Sequence, residues 1–234
     1  MPQRKVQIPQ IGEVVLAKRR GTKSVRLSIT PRGQVRVSMP YWAPYSLGLS
    51  FALNRRTWIK HQLAEHRIKP ITNGARIGKQ HRVRFQTDKL AATPKIRIAA
   101  GVIEVRSAVA ITDPAIQSKL VQACERVLKT EAQILLIPRT QQLARKYGLP
   151  YRSLRLRKLT SRWGSCSHER VISLNYYLIQ LPWELIDYVI VHELLHTKHL
   201  HHGPKFWQAF TGILPDAKQL QKQMRAYSPR IQPN

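Results

Sequence analysis

The sequence predicts an α+β protein: a β-rich N-terminal part over residues 1–110 with one helix, then a more helical α+β part over residues 111–234. Three observations carry this reading. Short runs of alternating polarity crowd the first part, and a helical periodicity extends from Ala115 to about Tyr147. An apolar-sided helical stretch then ends in His192-Glu193-Leu194-Leu195-His196.

In chain order, residues from about Glu13 to Met39 alternate as short strands, with Thr30-Pro31-Arg32-Gly33 as a hairpin turn. Ala43 to Ile68 reads as one helix whose apolar side is Leu47, Phe51, Ala52, Trp58, Ile59 and Leu63. Further strands are predicted around Arg82–Gln86, Lys95–Ala99 and Val102–Arg106. From Ala115 the pattern is helical, broken or kinked at Pro138 and stopped by Gly148. Arg152 to Leu159 and Val171 to Tyr177 read as strands flanking a turn near Ser167-His168-Glu169. Pro182 suits a first helical turn, and Glu184 and Asp187 follow where the helix dipole favours carboxylates. Leu185, Ile186, Val189, Ile190, Leu194 and Leu195 then recur near every 3.6 residues, so this helix has a broad apolar side.

On that helix His192 and His196, four apart, share one face with Glu193 beside the first. Two imidazoles so placed suit a zinc ion, and the carboxylate is positioned to take a proton from water. Catalytic zinc usually has three protein ligands and one open position. Beyond Glu193 the only acidic residue is Asp216, so the third ligand is sought among His199, His201, His202 and Asp216. His199 is disfavoured, because three ligands rising along one straight helix would be strung over about 10 Å. His202 precedes Gly203-Pro204, where Gly ends a helix and Pro starts another, so the chain can swing this imidazole back. It is the first choice, His201 the second and Asp216 the third.

The run His192 to Trp207, with His202 after the second motif histidine and then Phe206-Trp207, resembles the signature of the YgjP-like metallopeptidases, relatives of the SprT-like and small gluzincin-type zinc proteins. A second element, Ser161-Arg162-Trp163-Gly164-Ser165-Cys166 followed by Ile172-Ser173-Leu174-Asn175-Tyr176, resembles the same family. So, less specifically, does the N-terminal stretch from Val25 to Ile59. Gly203 stands where the family often has Ser. The resemblance implies a zincin-type metallopeptidase domain over residues 111–234 with an active-site helix. It implies Zn2+ held by His192, His196 and His202, with Glu193 as the general base for peptide-bond hydrolysis. Tyr176, Tyr177, Arg162 and His199 are the candidates for stabilising the developing oxyanion. Trp163 and Cys166 either pack the motif helix against its sheet or flank an edge strand that pairs with extended substrate.

At 234 residues and 43% hydrophobic the chain is long enough for a sizeable core in one or two domains. Its two cysteines, Cys124 and Cys166, suggest neither a disulfide framework nor a thiolate metal site. No signal-like or membrane-spanning apolar run is evident, so a cytoplasmic protein with no membrane partner is expected. Forty basic residues against twelve acidic give a net charge of +28, and no acidic residue occurs from Val14 to Ala64. Such charge points to anionic partners: nucleic acid, through phosphate contacts, or acidic stretches of a peptide or protein substrate. The alternative to a peptidase is therefore a basic nucleic-acid-associated protein whose zinc site is substrate-restricted or structural.

Overall fold

The computed structural model describes residues 2–30, 33–66 and 70–232 and is a mixed α+β structure. It comprises two compact units, Met1–Ile68 and Lys69–Asn234. In the first, β1 (Gln3–Ile8) and β2 (Gly12–Arg19) pair antiparallel, as do β3 (Arg26–Ile29) and β4 (Val35–Pro40). β2 and β4 lie parallel, giving the order β1-β2-β4-β3. Of the turn expected at Thr30–Gly33, Pro31 and Arg32 lie outside the described residues, while Gly33 N–H donates to Thr30 C=O at 2.8 Å. Alternation sets the buried face: Val14 and Leu16 on β2 and Val35, Val37 and Met39 on β4 form one core cluster.

The helix expected over residues 43–68 is two, α1 (Tyr45–Asn54) and α2 (Arg56–His66); Arg67 and Ile68 lie outside the described residues. Arg55 leaves helical geometry (φ −103°, ψ 15°) and turns its N–H to Ala52 and Leu53 carbonyls. The change of direction keeps Ala52 and Ile59 in the core but leaves Leu47 and Trp58 on the surface. Gly48 lets α1 approach the sheet, since a Cβ there would sit 2.9 Å from Met39 Cε.

The second unit opens with β5 (Arg76–Ile77), β6 (His81–Thr87), β7 (Lys95–Ala99) and β8 (Val102–Ser107) in the order β5-β6-β8-β7. Its inner face, Ile77, Val83, Ile103 and Val105, shares one core with Ile116, Leu120 and Val127 of α3 (Pro114–Lys146). The compact units therefore divide earlier in the chain than the period change near residue 110, because this sheet has its apolar partner in α3. Asp113 caps α3, its carboxylate accepting from Ala115 N at 2.8 Å, and Pro114 fills the first turn. The helix runs through Pro138 as one element. It ends with Gly148 at φ 59° and Leu149 N–H on Ala144 C=O at 2.9 Å.

Beyond α3 lie β9 (Ser153–Arg157), β10 (Gly164–Cys166) and β11 (Val171–Asn175), a 3-10 segment at Tyr176–Gln180, then α4 (Trp183–Leu195), α5 (Pro204–Ile213) and α6 (Ala217–Met224). β9 and β11 pair parallel, and β10, absent from the sequence expectation, adds antiparallel to β11 as an edge strand. Pro182 stands at the N-cap of α4, one residue ahead of its first turn.

Two polar ties hold this unit. Arg139 of α3 forks onto the Asp187 carboxylate of α4, with Nε donating to Oδ1 at 2.8 Å. Glu131, 2% exposed, accepts from Lys79 N–H at 2.6 Å, Gln80 N–H at 3.1 Å and the His81 ring at Nδ1, 2.6 Å away. The turn fits over this carboxylate because Gly78, at φ 67°, has no Cβ to overlap it. Burial pushes the Lys79 ammonium down from its ordinary value, and its Nζ donates to Leu181 C=O at 2.6 Å, just ahead of α4. Glu131→Ala strands these donors. It is expected to cost about 3 kcal/mol, read as a lower urea midpoint at unchanged slope.

Candidate metal centre

The centre begins at the C-terminal end of α4. Nine of its thirteen residues are buried, so its last turn is fixed against the core and its side chains have little freedom. His192 and Glu193 lie in that turn and His196 is the C-cap residue. The chain then curls: His199 N–H donates to Leu195 C=O at 2.9 Å and Thr197 Oγ1 to Leu194 C=O at 2.7 Å. A tight turn joins Gly203 N–H to His201 C=O at 2.8 Å, and Pro204 starts α5.

This return brings His202 onto the other two histidines. The three Nε2 atoms lie 3.2 Å (His192–His196), 3.1 Å (His196–His202) and 3.0 Å (His192–His202) apart. Phe206 of α5, 1% exposed, backs all three rings. It stacks on His196 at 4.9 Å and 26° and sets its ring across those of His192 and His202. Of the alternative third ligands, His201 lines the adjoining cavity, and Asp216 is the N-cap of α6, outside the cluster. His199 contributes its backbone instead: its carbonyl accepts from His196 Nδ1–H at 2.9 Å, which leaves the Nε2 lone pair of that ring facing its neighbours.

The electrostatics follow from burial. Desolvation, then the neighbouring imidazoles, push the His192 pKa down to about 3, and burial likewise lowers that of His196. His192 Nδ1 is buried without a hydrogen-bond partner among the described residues. Neutral rings with converging Nε2 atoms are unfavourable neighbours unless a cation lies between them. Tetrahedral bonds of about 2.0 to 2.1 Å separate ligand nitrogens by about 3.4 Å, close to the spacing here. The donor set therefore fits a metal ion.

Glu193 is 7% exposed, and burial raises its carboxyl to about 8 against the opposing pull of Arg162. Gly164 of β10 makes room for it: a Cβ there would lie 2.6 Å from Glu193 Cγ. A cavity of about 380 Å³ opens over Glu193 and the three histidines, walled by Arg162, Cys166 and His168. Burial, and Glu193 beside it, raise the Cys166 thiol above its ordinary value. Trp163 packs on the core, and its carbonyl accepts from Asn175 N at 2.8 Å. Among the oxyanion candidates only the Arg162 side chain reaches this cavity. Tyr177 donates its hydroxyl to Glu125 at 2.6 Å and Tyr176 packs on its ring at 4.8 Å, so both are structural. Sequence reasoning missed Gly164 and the His199 carbonyl. The Trp-Gly-Ser-Cys element signalled the first, whereas a backbone acceptor leaves no side-chain signal.

Fold and site together define a mixed α+β protein with a three-histidine centre beside a buried glutamate. The model of the YgjP-like metallopeptidase domain matches residues 23–227, and the chain belongs to this family. It is a metallopeptidase-family protein, in which a metal ion is implied. A solved structure described as the crystal structure of the metallopeptidase zymogen of Pyrococcus abyssi abylysin is 22% identical. The match covers 37% of this chain and 89% of that one at a TM-score of 0.35, too low to bear on the fold. No curated protein matches the chain. Among the described residues no helix is long and apolar enough to cross a membrane.

The raised Glu193 carboxyl has a signed consequence for metal-free protein. Between an ordinary carboxyl pKa and about 8 the folded state holds a proton that the unfolded state has released, so stability falls as pH rises through that window. Between pH 7 and 8, chelator-treated wild type should lose about 1 kcal/mol relative to Glu193→Gln, which carries the same histidines. Paired urea titrations at the two pH values measure this.

Proposed function

We propose that this chain is a zinc-dependent peptidase, its Lys69–Asn234 unit a zincin-type domain with α4 as the active-site helix. The observation that carries the reading is the convergence of His192, His196 and His202 beside the buried Glu193, all opening on one cavity. Three imidazole nitrogens suit zinc and leave a further coordination position on the cavity side, whereas a purely structural site is closed by four protein ligands. A bound zinc ion would supply Lewis acidity, making water more acidic and polarising the scissile carbonyl. His192, His196 and His202 would hold it, with His199 C=O fixing the tautomer of His196.

Glu193 then acts as the general base. Its carboxylate takes the proton of the attacking water and returns it to the leaving amine as the C–N bond breaks. Gly164 holds β10 close enough to keep that side chain in one place. Arg162 on the cavity wall is the cation available to the oxyanion. The unpaired edge of β10, the end strand of its sheet, offers main-chain groups to an extended substrate, which selects polypeptide in extended form over folded protein. Both cysteines are free thiols, in keeping with the cytoplasmic location we assign.

The test combines metal content with hydrolysis of unfolded casein. Wild type should hold one zinc per chain and cleave. Glu193→Gln should keep zinc and lose at least about a hundredfold in rate. His202→Ala should lose zinc, and Gly164→Ala should keep it while losing turnover through the displaced Glu193. Zinc retained without cleavage by wild type, together with unfolding on its removal, would instead establish a structural metal site.

A further inference from the structure

The outer face of the β5-β6-β8-β7 sheet carries a lattice of cations that the metal centre does not use. Along each strand the inward positions are mostly apolar and most of the outward ones are charged. Strand pairing then places the outward residues in rows. Arg76 lies beside Arg82; Arg84, Glu104 and Arg97 form the next row; Gln86, Arg106 and Lys95 form the third. Rows are spaced by two residues along a strand, about 6.7 Å, and neighbouring strands by about 4.8 Å. The six cations are exposed, and the single carboxylate on the face, Glu104, is committed to Arg106 at 3.1 Å. Arg76, Arg82, Arg84, Lys95 and Arg97 form no salt bridge among the described residues.

We infer that this face binds the phosphate backbone of a nucleic-acid duplex. A ladder of like charges weakens a sheet unless something else repays it, because directly opposed cations repel. Five of the six are arginines, whose planar forks pair with phosphate oxygens in two parallel hydrogen bonds. The face carries no aromatic ring and no large apolar side chain beyond Val102 at its rim. That composition provides no stacking platform for unpaired bases. It also lacks the desolvated apolar anchor on which a protein partner would depend, and the apolar wedge that would enter a membrane. What remains is regularly spaced positive charge on an exposed sheet face, suited to counterion release from a regular polyanion and blind to sequence. The inference is independent of the peptidase reading.

The test is the salt dependence of binding to a labelled 20-base-pair DNA duplex by the full-length, metal-loaded protein. If the five uncommitted cations each neutralise a phosphate, they contribute about −4.5 to the slope of log K against log salt. The triple variant Arg82→Gln/Arg84→Gln/Arg97→Gln should flatten that slope by about 2.7 and weaken binding at least tenfold at 150 mM salt, while leaving casein hydrolysis unchanged. The corresponding Arg→Lys triple should keep most of the slope. Arg20→Gln/Lys23→Gln/Arg26→Gln, which removes equal charge from the other unit, should change it by less than one. Equal flattening by both Gln triples would mean that binding is spread over the whole basic surface and would overturn the assignment. So would an unchanged slope in the first triple, or better competition by polyglutamate or phosphatidylserine vesicles than by unlabelled duplex at equal charge.

Discussion

The chemistry of the metal centre depends on the burial of the last turn of α4. Removing water from that turn penalises charge on every group in it, and the consequences differ by group. The imidazole of His192 becomes harder to protonate and so stays neutral, while the carboxyl of Glu193 becomes harder to ionise and its carboxylate a stronger proton acceptor. A single cause thus keeps the imidazole neutral and makes the Glu193 carboxylate more basic, and the charge of a bound metal ion would favour its ionised form. The apolar wall responsible is built largely by α5, whose Phe206 and Phe210 both lie within 5.6 Å of the His192 ring, centre to centre.

That turn can be held still because α4 is secured at both ends. Near its start the Arg139–Asp187 fork ties it to α3, while Lys79 reaches the Leu181 carbonyl and stands 5.1 Å over the Trp183 ring. At its finish Thr197 and His199 satisfy the terminal carbonyls. Glu131 extends the same logic backwards: by gathering the N–H groups of the β5–β6 turn, it fixes the position from which Lys79 acts. The long helix α3 is therefore the common support of the β5-β6-β8-β7 sheet and of the site helix.

What is legible in the sequence is local. The apolar side of α4 shows as a 3.6-residue period, and Gly203-Pro204 marks the turn that returns His202 to the motif histidines, so residue spacing and turn chemistry are enough to single out the three residues that converge. The strands β6, β7 and β8 are equally plain, each having four or more residues in strict alternation. The break at Arg55 is not legible, because no Gly or Pro marks it and the apolar period continues across it. β10 is too short, at three residues, to show a period. The fit of Gly164 against Glu193 joins positions on different elements and arises only from packing. The division near residue 68 is hidden for a related reason. The hydrophobic period changes near residue 110, but the sheet before that point finds its apolar partner in the helix after it.

The cation rows belong to the same non-local class. Alternating arginines on one strand are ordinary, since an exposed strand face is usually polar. They become a lattice only because β6 pairs with β8 rather than with β7, which sets Arg84 and Arg97 on either side of Glu104 in one row. The inner face of that sheet packs on α3, and α3 in turn is tied to α4 by the Arg139–Asp187 fork. A polyanion held on the outer face would be joined to the site helix through α3 and through the β5–β6 turn, whose Lys79 donates to Leu181 C=O. Its physical effect is to raise the local concentration of whatever else is bound to the same polyanion, which favours substrates that share the duplex over those free in solution.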